Sequence, residues 1–116
     1  GELVWKEGKQ EALGKDLLEP LSPRLEWGGS LRKAAGELSP DLLARLNEQL
    51  ARLARFIEEG AGAKGYRPEG LGFRAVRGKH GPSTHECVAL GGDDDRRLLG
   101  HFEGPVFVVD ELRKHL

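Results

Sequence analysis

Between Ser39 and Gly60 the apolar positions recur at helical spacing. Leu43, Leu46, Leu50, Leu53 and Ile57 follow one another at gaps of 3, 4, 3 and 4, and Leu42 and Phe56 widen the stripe. Arg45, Glu48, Arg52, Arg55 and Glu59 fill the other side. Such a stripe turns one face of an α-helix toward an apolar partner. Ser39 offers a hydroxyl N-cap, Pro40 a preset φ at the first helical position, and Asp41 a negative charge at the positive end of the helix dipole. The spacing therefore predicts a helix over 40–59 that stops at Gly60. About two heptads of stripe fall short of the three or four that a coiled coil needs, so the face is expected to pack on the domain's own sheet. A dimer seam through the same five residues is the alternative.

After a glycine-rich loop over 60–70 the period changes from 3.6 to 2. Gly72 to Arg77 alternates Phe73 and Ala75 with Arg74 and Val76, and His85 to Leu90, Arg97 to Phe102 and Val106 to Val109 complete four short strands. Their connections are short, which predicts antiparallel neighbours in a meander. Asp110 is placed to cap a closing helical turn over 111–116. Upstream, Glu2 to Lys6 reads as a short strand and Gln10 to Glu19 as a helix ended by Pro20. Pro20, Pro23 and Gly28-Gly29 then break the chain. Ser30 reads as the N-cap of a short helix through Ala35, closed by Gly36. The expectation is one α+β domain over 1–116. Its mainly helical half, 1–59, packs on a four-stranded antiparallel β-meander over 71–110 that ends in a short helical turn.

Composition narrows the function classes. The 18 basic and 19 acidic side chains remove any whole-chain argument for nucleic acid or an anionic membrane. No apolar run approaches the roughly 18 residues of a membrane span, the N-terminus lacks a signal pattern, and one cysteine cannot form an internal disulfide, so the chain reads as cytoplasmic. With no methionine present, Gly1 is expected to arise by processing or by excision from a longer chain. The Arg, Ala, Leu and Gly bias and the few amides resemble a thermophile's usage. Locally the balance differs. Residues 64–79 carry Lys64, Arg67, Arg74, Arg77 and Lys79 against Glu69 alone.

All four histidines lie within the last 37 residues. A hairpin symmetric about its 91–96 loop sets Leu90 beside Arg97, Val88 beside Leu99 and Glu86 beside His101. Alternation then puts His85 and Cys87 on the opposite face. A carboxylate across from an imidazole can tune a proton-transfer histidine, or form a plain surface ion pair. Zinc spacings such as paired C-x2-C are absent, and Asp93 to Asp95 lacks the alternating ligands of a calcium loop, so neither metal nor cofactor is expected. Cys87 within a strand reads as a small buried hydrophobe. Arg74, Arg77 and Lys79 supply forks and a point charge for phosphate, or simply blunt a sheet edge. RNA carries its own 2′-hydroxyl nucleophile, so His80, His85, Glu86 and His101 beside those cations are the residue types that metal-free cleavage would use.

The order of elements over 39–116 resembles the RelE/ParE-like toxin fold. Arg67-Pro68-Glu69-Gly70-Leu71-Gly72-Phe73-Arg74-Ala75-Val76-Arg77 is similar to the entry into that family's sheet, and Arg97-Leu98-Leu99-Gly100-His101-Phe102 to its later strand. The resemblance implies messenger-RNA cleavage by residues on the sheet, with Arg74, Arg77, Lys79 and His101 at the matching positions. This chain departs from that pattern in its near-neutral charge and its longer opening over 1–38. Two readings follow. One is a small RNA-acting protein with metal-independent endoribonuclease chemistry. The other is a noncatalytic interaction module that self-associates through Leu43, Leu46, Leu50, Leu53 and Ile57.

Overall fold

The computed structural model describes residues 2–3, 10–11, 23–76 and 84–114. The predicted long helix is present as α2, Pro40–Glu58, with the Ser39 hydroxyl accepting a hydrogen bond from the Leu42 amide and Pro40 in the first turn. A shorter helix, α1 (Gly29–Gly36), precedes it. Its N-cap is Gly28 rather than Ser30, which lies inside the first turn. Two short strands, β1 (Glu2–Leu3) and β2 (Gln10–Glu11), pair antiparallel as a separate ribbon. The helix expected from Gln10 is thus replaced at its start by a strand, and 12–19 lie outside the described residues. So do residues 4–6 of the first expected strand.

The main sheet has five strands in the order β3-β7-β6-β5-β4, where β3 is Leu25–Trp27, β4 Arg74–Ala75, β5 Thr84–Val88, β6 Arg96–Glu103 and β7 Val106–Lys114. The last four form antiparallel neighbours in sequence order. β3 adds to them in parallel, pairing Leu25 with Phe107 and Trp27 with Val109. The class is therefore α+β, with a mixed five-stranded sheet in place of the expected four-stranded meander. The expected C-terminal turn is also corrected, because β7 continues in extended form to Lys114. Two causes are visible. Leu25-Glu26-Trp27 alternates buried, exposed, buried, too briefly to register as a strand between breakers. At the other end, pairing of Glu111 to Lys114 with Leu99 to Arg96 outcompetes a single helical turn that would lack internal partners.

The core lies between α2 and one face of the sheet. Leu46 and Leu53 are completely buried, and Leu43, Leu50 and Ile57 are no more than 3% exposed. They pack with Leu25, Leu31, Cys87, Leu98, Phe107 and Val109. The stripe is buried within the chain, on its own sheet, as the first of the two expectations for this face has it. Gln49 joins the layers: its Nε2 donates to the carbonyl oxygens of Gly70 (3.3 Å) and Val88 (2.9 Å). Val88 N–H in turn donates to the Leu71 carbonyl at 2.8 Å.

Within β6 and β7 the pairing changes step at Leu99/Gly100. Leu99 faces Glu111 and Gly100 faces Val109, which leaves Asp110 as an extra residue in β7. A bulge of this kind re-aims side chains locally. Gly100 is required at this point: a Cβ there would sit 2.4 Å from the Val108 carbonyl oxygen and 2.7 Å from Cζ of Phe107.

Leu50→Ala should cost about 3 kcal/mol of stability in urea denaturation, the usual range for emptying a buried leucine site. Leu50→Glu should leave the chain unfolded by circular dichroism, because the charge would be buried unpaired. A folded Leu50→Glu protein would mean that the stripe faces solvent or another molecule.

Candidate functional site

The β5–β6 hairpin sets the geometry of the sequence-derived candidates. Thr84 pairs with His101, Glu86 with Leu99 and Val88 with Arg97. The expected partners are displaced by two residues, so the face assignments survive while Glu86 and His101 are no longer opposite. The loop explains the slip. The Asp94 N–H donates to the Gly91 carbonyl at 3.2 Å, and the Asp94 carboxylate accepts from the Arg96 amide (2.9 Å) and from the Arg96 guanidinium through Nε and NH2. This lock starts β6 at Arg96. Ala89, whose N–H donates to the Arg96 carbonyl at 3.2 Å, and Leu90 lie beyond the end of β5 and are buried in the core. Arg96 holds the Asp94 carboxyl below its ordinary pKa, first through the side-chain hydrogen bond.

Glu86 is 1% exposed. The Arg74 Nε donates to its Oε2 at 2.6 Å, across the directly opposed Arg74–Glu86 pair of β4 and β5. The cation sits largely in solvent while the carboxylate is buried. His101 has different partners. Its Nδ1 lies 2.8 Å from Asp110 Oδ2 and its Nε2 lies 2.8 Å from Glu103 Oε2. The Asp110 contact, then the Glu103 contact, raises the His101 pKa above its ordinary value. With each ring nitrogen within hydrogen-bond distance of a carboxylate of its own chain, neither is free to take a proton from a bound substrate. The carboxylates bracket the ring from its two nitrogen sides, so they do not converge on a common point. Among the described residues no three His, Cys, Asp or Glu side chains are gathered so as to hold a metal ion.

His85 lies on the helix side of the sheet, in an aromatic group containing all four phenylalanines of the chain. Its ring stacks on Phe73 with centroids 4.9 Å apart and planes 17° apart. Phe102 meets its edge at 5.3 Å, and Phe107 meets Phe102 at 5.0 Å. Phe107 and Phe56 are buried, whereas Phe73, His85 and Phe102 are half-exposed. Cys87, also on this side, is buried, and burial pushes its thiol up to about 12. It is a packing residue and not a thiolate nucleophile at neutral pH.

Arg74, His85, Glu86 and His101 are thus divided between two surfaces. His85 is on the helix side, while Arg74, Glu86 and His101 lie on the far side. His80, Arg77 and Lys79 fall outside the described residues. Glu103 could have been found from alternation, since it is two residues from His101 on the same strand. Asp110 could not, because only the bulge brings it alongside. Tyr66 lies under Arg55, whose guanidinium carbon is 3.9 Å from the ring centroid. Among the described residues no helix is long and apolar enough to cross a membrane. No family model, curated protein or solved structure matches the chain.

The clamp on His101 has a pH signature. Because the folded pKa is raised, the contribution to stability is complete below the unfolded value of about 6.5 and is lost as pH rises through the folded value. Its size should stay below roughly 1 kcal/mol, as for other solvent-accessible pairs. In an NMR titration His101 should titrate later than an ordinary histidine, and Asp110→Asn should bring it back toward the ordinary value. An unshifted His101 in the unsubstituted protein would contradict the clamp.

Proposed function

We propose that this chain is a single-stranded RNA-binding module. The observation that carries the reading is the contiguous half-exposed ring surface of Phe73, His85 and Phe102, with the exposed Lys64 and Arg67 in the loop that leads into Phe73. Unpaired bases stack on aromatic faces irrespective of sequence, and neighbouring cations take the phosphates. Lys64, Arg67 and Arg74 are exposed. Lys64 and Arg67 stand in the loop leading into the sheet, whereas Arg74 is committed to Glu86 on the far side and is not counted among the phosphate contacts. Near-neutral overall charge is compatible with this arrangement, because the local excess is what an RNA strand would meet.

The reading stops at binding. Cleavage would need a base and an acid on either side of one phosphate. The candidate groups in the described residues are a stacked His85, a buried Glu86 paired with Arg74, and a His101 held by two carboxylates, on opposite sides of the sheet. We accordingly assign no endoribonuclease step to them.

Fluorescence anisotropy with a short labelled single-stranded RNA tests the proposal. About two phosphate contacts, Lys64 and Arg67, predict a plot of log affinity against log salt with a slope of about −1.4, at roughly −0.7 per contact. Arg67→Ala should make that slope shallower by about one contact, and Phe102→Ala should weaken binding at least roughly tenfold if a base stacks there. The RNA should be recovered intact. Absence of salt-sensitive binding at low ionic strength would remove the proposal, and products ending in a cyclic phosphate would reinstate cleavage.

A further inference from the structure

Beside Phe73 the loop before β4 borders an open cavity of about 190 Å³, lined by Phe56, Arg67, Pro68, Leu71, Gly72 and Phe73. We infer that this cavity is a subsite for a single nucleotide, its base against the Phe56 and Phe73 rings and its phosphate on Arg67. The inference rests on the RNA-binding reading for its biological role, and on its own geometry for its ligand. The volume is below the roughly 300 Å³ at which sites for drug-sized molecules begin, so it suits one planar group rather than a folded peptide. Phe56 and Phe73 form the aromatic wall, with centroids 5.0 Å apart and planes tilted by 50°.

The walls are fixed before any ligand arrives. Leu71 is 1% exposed, and its carbonyl accepts from the Val88 amide of β5 at 2.8 Å. The Gly70 carbonyl is held from α2 by Gln49. Preorganisation of this kind reduces the ordering cost of binding. The cation at the rim is fixed too. Gly62 has φ +97°, and a Cβ there would lie 2.8 Å from both Cζ and NH2 of Arg67. The guanidinium therefore rests against Gly62 in a space that only glycine leaves open. Among the described residues Arg67 has no carboxylate within ion-pair distance, so its planar fork is presented without a competing anion. That fork matches a phosphate in geometry and charge, and an arginine beside aromatic rings is a recurrent setting for unstacked nucleotides. The apolar walls do not favour one base, so the class is nucleoside monophosphate without base preference.

Amide-detected NMR titrations with adenosine monophosphate, adenosine and inorganic phosphate separate the parts. Adenosine monophosphate should shift the signals of Arg67, Leu71, Gly72 and Phe73 and bind at least roughly tenfold more tightly than adenosine, the usual gain from a charge-assisted contact. Arg67→Gln, at an exposed position, should reduce the monophosphate to adenosine's level while leaving adenosine unchanged. If the monophosphate leaves those four signals unmoved while RNA still binds with a salt-dependent affinity, the subsite is wrong and the broader reading stands. If the monophosphate binds there and RNA does not bind, the subsite stands and the polymer reading falls. Equal affinity for the monophosphate in the unsubstituted and Arg67→Gln proteins would also overturn the assignment.

Discussion

The contact between Phe107 and Gly100 governs the arrangement of this sheet. Phe107 is fully buried, and its ring occupies the space that any side chain at Gly100 would need. With the ring seated there, Phe102 and Phe73 close on it at 5.0 and 5.3 Å, and His85 stacks on Phe73. The same point on the strands carries the bulge. Asp110 is the additional residue of β7, and it meets His101 on the far side of the sheet. One close approach in the β6–β7 hairpin therefore coincides with both the aromatic surface on one side and the imidazole clamp on the other.

That arrangement decides how the chemistry-bearing residues are used. β5 presents His85 and Glu86 in succession, and alternation alone sends them to opposite sides. The histidine becomes part of a stacked aromatic group. The glutamate becomes a buried anion whose removal or exposure would leave Arg74 without its anchor, and breaking such a pair is costlier than its net contribution suggests. His101 is committed to Asp110 and Glu103. Among the described residues, His85, Glu86 and His101 stand in three separate settings.

The legible part of the fold was the part with strong periodicity. Leu43, Leu46, Leu50, Leu53 and Ile57 gave α2 its limits and its buried face, and the Ser39-Pro40-Asp41 start was readable from cap chemistry alone. The order of the last four strands was also readable, because short connections leave few topologies. Three features were not. Leu25–Trp27 joins the sheet through parallel pairing to β7, a contact between residues some 80 positions apart that no local pattern encodes. The β5–β6 register depends on the Asp94–Arg96 lock, a two-residue interaction inside a loop that symmetry placed one pair too far along. The continuation of β7 past Val109 depends on a bulge, and bulges leave no periodic trace. For the candidate site, the parity of His85 and His101 was correct, while the partner of each was decided by these non-local details.

The separation of His85 from His101 is the central structural claim, and the histidine ring protons report on it directly. In a two-dimensional nuclear Overhauser spectrum, the His85 ring protons should show cross-peaks to the rings of Phe73 and Phe102, and none to the ring of His101. Cross-peaks between His85 and His101 would contradict the two-sided placement and return both histidines to a common site.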